Sequence, residues 1–165
     1  MSSRLALALL LALELAGCGF RLRGSANVPF DTLYIPQSKY GIGLDLKRNI
    51  EANTSCKVID DPRKAQALLA IAQESRAKQI LSLTGAGRVR EFKLVYTVVF
   101  KVHDGKGGEY VPTNTIELYR EMTYSDVDIL AKESEEQLLF RDMQSQAVGL
   151  ILRRIAAAQA PKPPE

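Results

Sequence analysis

Histidine and cysteine are scarce in this 165-residue chain, with one of the first and two of the second. His103 and Cys56, the thiol that falls inside the folded region, cannot together supply a usual zinc site. No metal or other cofactor is expected. His103 stands beside a glycine-rich turn on the polar face of a candidate strand, where a surface histidine needs no catalytic explanation. No two carboxylates form a recognisable acid/base motif. Thr84-Gly85-Ala86-Gly87-Arg88 lacks the Gly-Lys-Ser/Thr ending of a P-loop and reads as a plain β-turn. An excess of one charge is also missing. Lys and Arg number 22, Asp and Glu 19, and the formal net charge is +3. The two signs are interspersed, so this mildly basic balance does not argue for nucleic acid. There is no internal repeat at a solenoid period. Nothing positive points to an enzyme, and the chain is expected not to be one.

One long apolar run is present, at the start. Residues 5–13 are unbroken Leu and Ala, preceded by Arg4 and followed by the small pair Ala16-Gly17. A charged beginning, an apolar stretch and a small-residue cleavage site make a secretory signal peptide. The run is too short for a membrane span, which needs about 20 residues. Leu15-Ala16-Gly17-Cys18 resembles the lipobox of bacterial lipoproteins. That likeness implies lipid transfer to the Cys18 thiol and cleavage before it. An ordinary signal peptide with an incidental cysteine is the alternative. Several acyl chains at roughly 0.8 kcal/mol per buried methylene make a stable anchor. Loss of residues 1–17 removes Arg4 and Glu14, one charge of each sign, so the net charge stays +3. Cys56 is then alone, which rules out an internal disulfide. Lying next to the apolar Val58-Ile59, it reads as a structural thiol rather than a reactive one.

The expected organisation is a lipoprotein signal peptide at 1–17, a lipidated arm at 18–30, a single α/β domain at 31–158 and a disordered tail at 159–165. Within the domain, residues 32–35 read as a short strand closed by Pro36. Residues 41–53 read as a helix, with Ile42, Leu46 and Ile50 on one face. Residues 67–83 read as a long strand with a polar middle. The clearest signal follows: Phe92, Leu94, Tyr96, Val98, Phe100 and Val102 alternate with a second set over the whole stretch. Asp104 to Gly108 reads as a hairpin turn. A partner strand is expected at about 115–124, with Arg120 interrupting its apolar face. The last helix is expected over about 129–157, its stripe built from Leu139, Met143, Ala147, Leu150, Ile151 and Ile155. The order β-α-β-β-β-α predicts a two-layer α/β sandwich: a four-stranded, mainly antiparallel or mixed sheet with two helices on one face.

Two features of this arrangement bear on function. Arg76, Lys78, Arg88, Arg90 and Lys93 bracket the turn at 84–88, and their heads are expected to gather there. They read either as edge protection of a sheet or as an anion-binding patch, since arginine's fork matches phosphate and carboxylate. Val95, Thr97 and Val99 lie opposite the core stripe of their strand. That face is therefore not fully polar, and it is expected to meet a partner.

"CGFRLRG" after the lipobox, "RVREFKLVYTVVFKV", "LAKESEEQLLFRDM" and "ILRRI" together resemble the LptE family of lipopolysaccharide-assembly lipoproteins. The resemblance spans Cys18 to about Ile155. It implies a non-enzymatic protein held in the outer membrane by a lipid anchor on the periplasmic side. It implies a plug in the β-barrel of LptD that helps the barrel assemble, and binding of lipopolysaccharide in transit. Lys132 matches a lipopolysaccharide-binding position of the family. At the family's basic loop position this chain has Gly85, and Arg88 and Arg90 are the neighbours that can substitute. A lipid- or sugar-binding carrier lipoprotein with a hollow apolar core, or an anchored hydrolase with a polar cleft, are the alternatives.

Overall fold

The computed structural model describes residues 27–161. The expected signal peptide, Cys18, the rest of the arm up to residue 26 and the tail from residue 162 lie outside the described residues. The chain runs β1 (Thr32–Tyr34), α1 (Gly41–Asn53), β2 (Lys57–Ile59), β3 (Ala67–Leu83), β4 (Val89–His103), β5 (Glu109–Thr123) and α2 (Ile129–Ala156). The sheet order is β2-β1-β3-β4-β5. β1 runs parallel to both of its neighbours, and the β3–β4 and β4–β5 pairs are antiparallel. The architecture is thus the expected mixed α/β one, with five strands instead of four. The added strand, β2, is 3 residues long. Three residues are too few to show a period of two, so Val58 and Ile59 left no strand signature.

Strict alternation builds the middle of the sheet. Leu94, Tyr96, Val98, Phe100 and Val102 of β4 are all fully buried and join one core with residues of α1 and α2. α1 contributes Ile42, Leu46 and Ile50, and α2 contributes Phe140, Met143, Ala147, Val148, Ile151 and Ile155. Both helices therefore cover the same face. Gly43 lets α1 begin close to the preceding loop, since a Cβ there would lie 2.6 Å from the Gln37 carbonyl oxygen.

Two departures from regular pairing matter. β5 begins at Glu109, not near residue 115, because it takes in Pro112. β5 is an edge strand, where a residue without an N–H is tolerated. In β3 a register shift falls between Ile71 and Gln73. Before it, Leu69 and Ile71 lie beside Val102 and Phe100, on the core face. After it, Glu74, Arg76 and Lys78 lie beside Val98, Tyr96 and Leu94. One extra residue thus moves the charged side chains of β3 onto the helix-covered face.

β3 and β4 are 17 and 15 residues long. At about 3.3 Å per residue, their hairpin extends roughly 50 Å. One end, called near here, carries β1, β2 and the β4–β5 turn. Phe30 packs there, edge to face, on Tyr110 with ring centroids 5.1 Å apart. The far end carries the β3–β4 turn.

Candidate functional site

The far-end turn is built by hydrogen bonding and by one glycine. The Gly87 N–H donates to the Thr84 carbonyl at 2.9 Å, and Gly87 has φ +77, which an L side chain rarely adopts. The Arg88 N–H donates to the Thr84 hydroxyl at 3.2 Å. This turn projects Arg88 into solvent. Arg90 is exposed too, and its carbonyl accepts the Tyr124 N–H at 2.9 Å, which joins the start of β4 to the segment after β5. Neither arginine is in an ion pair among the described residues.

Lys132 stands on the first turns of α2. Its ammonium donates to the Thr123 hydroxyl at 3.0 Å and to Glu135 Oε2 at 2.8 Å. Thr123 is the cross-strand partner of Glu91. Arg88, Arg90 and Lys132 therefore occupy one end of the domain. They differ in freedom: the Lys132 side chain is 19% exposed and already has two partners, whereas the arginines stand free.

The other basic residues do not gather at the turn: the bulge in β3 puts Arg76 and Lys78 on the helix-covered face, and alternation along β4 puts Lys93 on the other. Arg76 Nη2 donates to Gln144 Oε1 at 2.8 Å, with the guanidinium over the rings of Tyr96 and Phe140. Gln144 Nε2 donates in turn to Asp45 Oδ2 at 2.6 Å, reaching α1. Lys78 Nζ binds Glu136 Oε2 at 2.6 Å and lies 4.3 Å from the Phe92 ring centroid. Lys93 goes to the opposite, open face, over the Tyr119 ring. Arg120, the expected interruption of β5, donates to Gln146 Oε1 on α2 at 2.9 Å. Its target is the protein's own helix.

Tyr96 donates its hydroxyl to Glu74 Oε1 at 2.7 Å. Burial, and then the Glu74 carboxylate, hold its phenol far above the ordinary value. Cys56 is buried, and burial followed by the Asp31 and Glu51 carboxylates pushes its thiol up to about 11. Such a thiol is a poor nucleophile at neutral pH. His103 Nδ1 accepts the Gly105 N–H at 3.1 Å and so helps close the β4–β5 turn.

On the open face, Val95 lies between Ala77 and Tyr119, Thr97 between Ser75 and Glu117, and Val99 between Gln73 and Thr115. Val95 is only 8% exposed and the other two are half-buried. Flanking strands cover much of this stripe. Tyr119 on this face is 56% exposed, and still more exposed apolar groups lie on the segment leading to Lys132, where Val127 and Leu130 are 91% and 80% exposed. Leu130 was detectable in the sequence, since it falls off the Phe140–Met143–Ala147 stripe of α2.

Known proteins share both the sequence and this fold. A lipopolysaccharide-assembly lipoprotein LptE of Pectobacterium atrosepticum is 28% identical over 144 residues, covering 85% of this chain and 77% of its own length. The solution structure of an uncharacterized lipoprotein B from Nitrosomonas europaea superposes with a TM-score of 0.72 at 40% identity. It covers 84% of this chain and 91% of its own. The crystal structure of a rare lipoprotein B from Shewanella oneidensis gives a TM-score of 0.66 at 27% identity, over 76% of this chain and 94% of its own. The family model for LptE, described as lipopolysaccharide-assembly, matches residues 28–155, from just before the first strand to the end of the last helix's core stripe, and the chain belongs to that family.

Proposed function

We propose that this chain is a non-catalytic outer-membrane lipoprotein, anchored through Cys18 on the periplasmic side, that plugs and assists assembly of the LptD β-barrel and binds lipopolysaccharide on its way to the cell surface. Family membership supports the assembly role. The observation that carries lipid binding is the shared far end of Arg88, Arg90 and Lys132, tied together through Thr123, Glu91 and Tyr124. Lipopolysaccharide is multiply anionic. Exposed ion pairs are each worth less than about 1 kcal/mol, so several cations acting on one ligand are needed. Arg88 and Arg90 are free to receive it. Lys132 joins by exchanging Glu135 for a ligand anion. In this reading the barrel wall lies along the open face, against Val95, Thr97 and Val99.

Two measurements test the proposal. Isolation of the lipoprotein in mild detergent is expected to bring down a large outer-membrane barrel, and Val99→Lys is expected to reduce the yield. The mature chain carrying Cys18→Ala, prepared without detergent, is titrated with lipopolysaccharide at low and high salt. Screening acts over about 8 Å at physiological ionic strength, so binding through exposed cations is expected to weaken with salt. Equal affinity for wild type and the Arg88→Ala/Arg90→Ala/Lys132→Ala variant would show that these residues are not the binding site.

A further inference from the structure

At the far end, large apolar side chains stand in solvent on β3, next to the strand and turn that carry the arginines, and on the segment that leads into α2 and Lys132. On the helix side Val127, Leu130 and Ile129 are 91%, 80% and 46% exposed. On the strand side Ile80, Leu83 and Leu81 are 60%, 54% and 44% exposed. The two groups are linked through the fold. Ile80 is the cross-strand partner of Phe92, and the Phe92 ring meets Tyr124 edge to face at 5.3 Å. Tyr124 is bonded to Arg90 and lies three residues before Val127. Leu83 pairs with Val89, between Arg88 and Arg90 in sequence. Residues 126–131 themselves line a shallow hollow on the helix side.

From this interleaving we infer that the far end is a two-part site for an anionic amphiphile. Its acyl chains lie on Val127, Leu130, Ile80 and Leu83, while its charged head is held by Arg88, Arg90 and Lys132. The inference rests on the lipopolysaccharide reading above and adds to it a contact with the hydrocarbon. Charge complementarity selects this occupant. A second copy of the chain, meeting this end face to face, would bring Arg88 and Arg90 against their own equivalents. An amphiphile supplies both complements at once. Asp126 and Asp128 lie on the same segment as the apolar pair and repel a head group, which directs it towards the arginines.

The test uses the mature Cys18→Ala chain with two probes: acylated, bisphosphorylated lipid A and the same disaccharide with its acyl chains removed. Wild type is expected to bind lipid A about tenfold or more tightly than the deacylated sugar. Val127→Ser/Leu130→Ser changes exposed positions, and circular dichroism checks its fold. It is expected to lose roughly tenfold in lipid A affinity and nothing for the deacylated sugar. Arg88→Ala/Arg90→Ala is expected to weaken both. Wild-type lipid A binding that survives Val127→Ser/Leu130→Ser overturns the inference and leaves the parent reading standing. Equal wild-type affinity for the two probes does the same. Failure of wild type to bind lipid A at any salt overturns both. Unchanged lipid A binding with loss of barrel co-purification assigns the apolar groups to a protein contact and also overturns the inference.

Discussion

The two ends of one hairpin are held to the same helix by different forces. Near the β4–β5 turn, β3 presents Ala67, Leu69 and Ile71 to the core, and Leu33, Ile42, Leu46, Phe100, Ile151 and Ile155 fill it with almost no exposure. Beyond the register shift the middle strand stays apolar, but its neighbours do not. β3 presents Glu74, Arg76 and Lys78, β5 presents Arg120, and α2 answers with Gln144, Glu136 and Gln146. Apolar burial stabilises by about 25 cal/mol per Å², whereas solvent-accessible polar bonds exchange with water at little net gain. The near half is therefore the source of most of the fold's stability. The far half carries the free arginines and the exposed Val127 and Leu130, the surface proposed above to receive a ligand.

The strongest way to break this comparison is to cut into the near core. Phe100 is fully buried at the centre of the sheet. Phe100→Ala is expected to cost about 3–5 kcal/mol, through lost burial and the cavity left behind. Denaturant titration measures it. A loss under about 1 kcal/mol would show that the near half does not dominate.

A smaller effect is expected across the far half. Arg76→Ala removes the bond to Gln144 and the contact with two rings, at a cost of roughly 1–2 kcal/mol. The loss is expected to be local. Amide exchange should quicken along β3 from Gln73 to Leu83 and in the first half of α2, while Leu33 and Ile50 keep their protection. Uniform acceleration across both halves would mean that they unfold as one unit.

Legibility in the sequence follows the same division. β4 was plain, because alternation over a central strand records burial directly. α1 and the body of α2 were plain for the same reason at a helical period. What stayed hidden was set by partners. β2 is a strand only because β1 lies beside it. Pro112 concealed the start of β5, because tolerance of proline depends on being at an edge. The bulge after Ile71 changed which face Arg76 and Lys78 occupy, so a cluster inferred from sequence proximity to the turn dissolved into contacts with the helix. Arg88 and Arg90 were readable, since a turn exposes its flanks whatever the sheet does. Lys132 was singled out by family likeness; its place at that end follows from the first turns of a helix entered from an adjacent strand, and Thr123 is the contact that holds it there.

A further effect is confined to high pH and vanishes under neutral conditions. The Cys56 thiol has an ordinary value of 9.0 and is held at about 11 in the fold by burial. The folded state thus keeps a proton that the unfolded chain releases. Stability from this source is complete below pH 9.0 and is lost as pH rises towards about 11. Cys56→Val removes the titrating group and keeps an apolar side chain. The variant's stability curve should be flatter than wild type's over that window and parallel to it below. Parallel curves throughout would show that the thiol titrates alike in both states.

The smallest effect on stability is expected where the effect on binding is largest. Arg88 and Arg90 project from a turn, have no ion-pair partner among the described residues, and support no core side chain. Only the backbone of each takes part in the hydrogen bonds that shape the far end, the Arg88 N–H to Thr84 and the Arg90 carbonyl to Tyr124. Truncation to alanine keeps those bonds, so Arg88→Ala/Arg90→Ala should change stability by less than about 0.5 kcal/mol. Lys132→Ala is a sharper control, because its ammonium holds Thr123 and Glu135 and its loss leaves both without that donor. The lysine variant should therefore lose measurable stability, while the double arginine variant does not. Thermal unfolding of the two, read beside their lipopolysaccharide affinities, separates a ligand-facing charge from a structural one. If the arginine pair proves as destabilising as Lys132→Ala, the far end is held together by its cations, and the division between supporting core and receiving surface fails there.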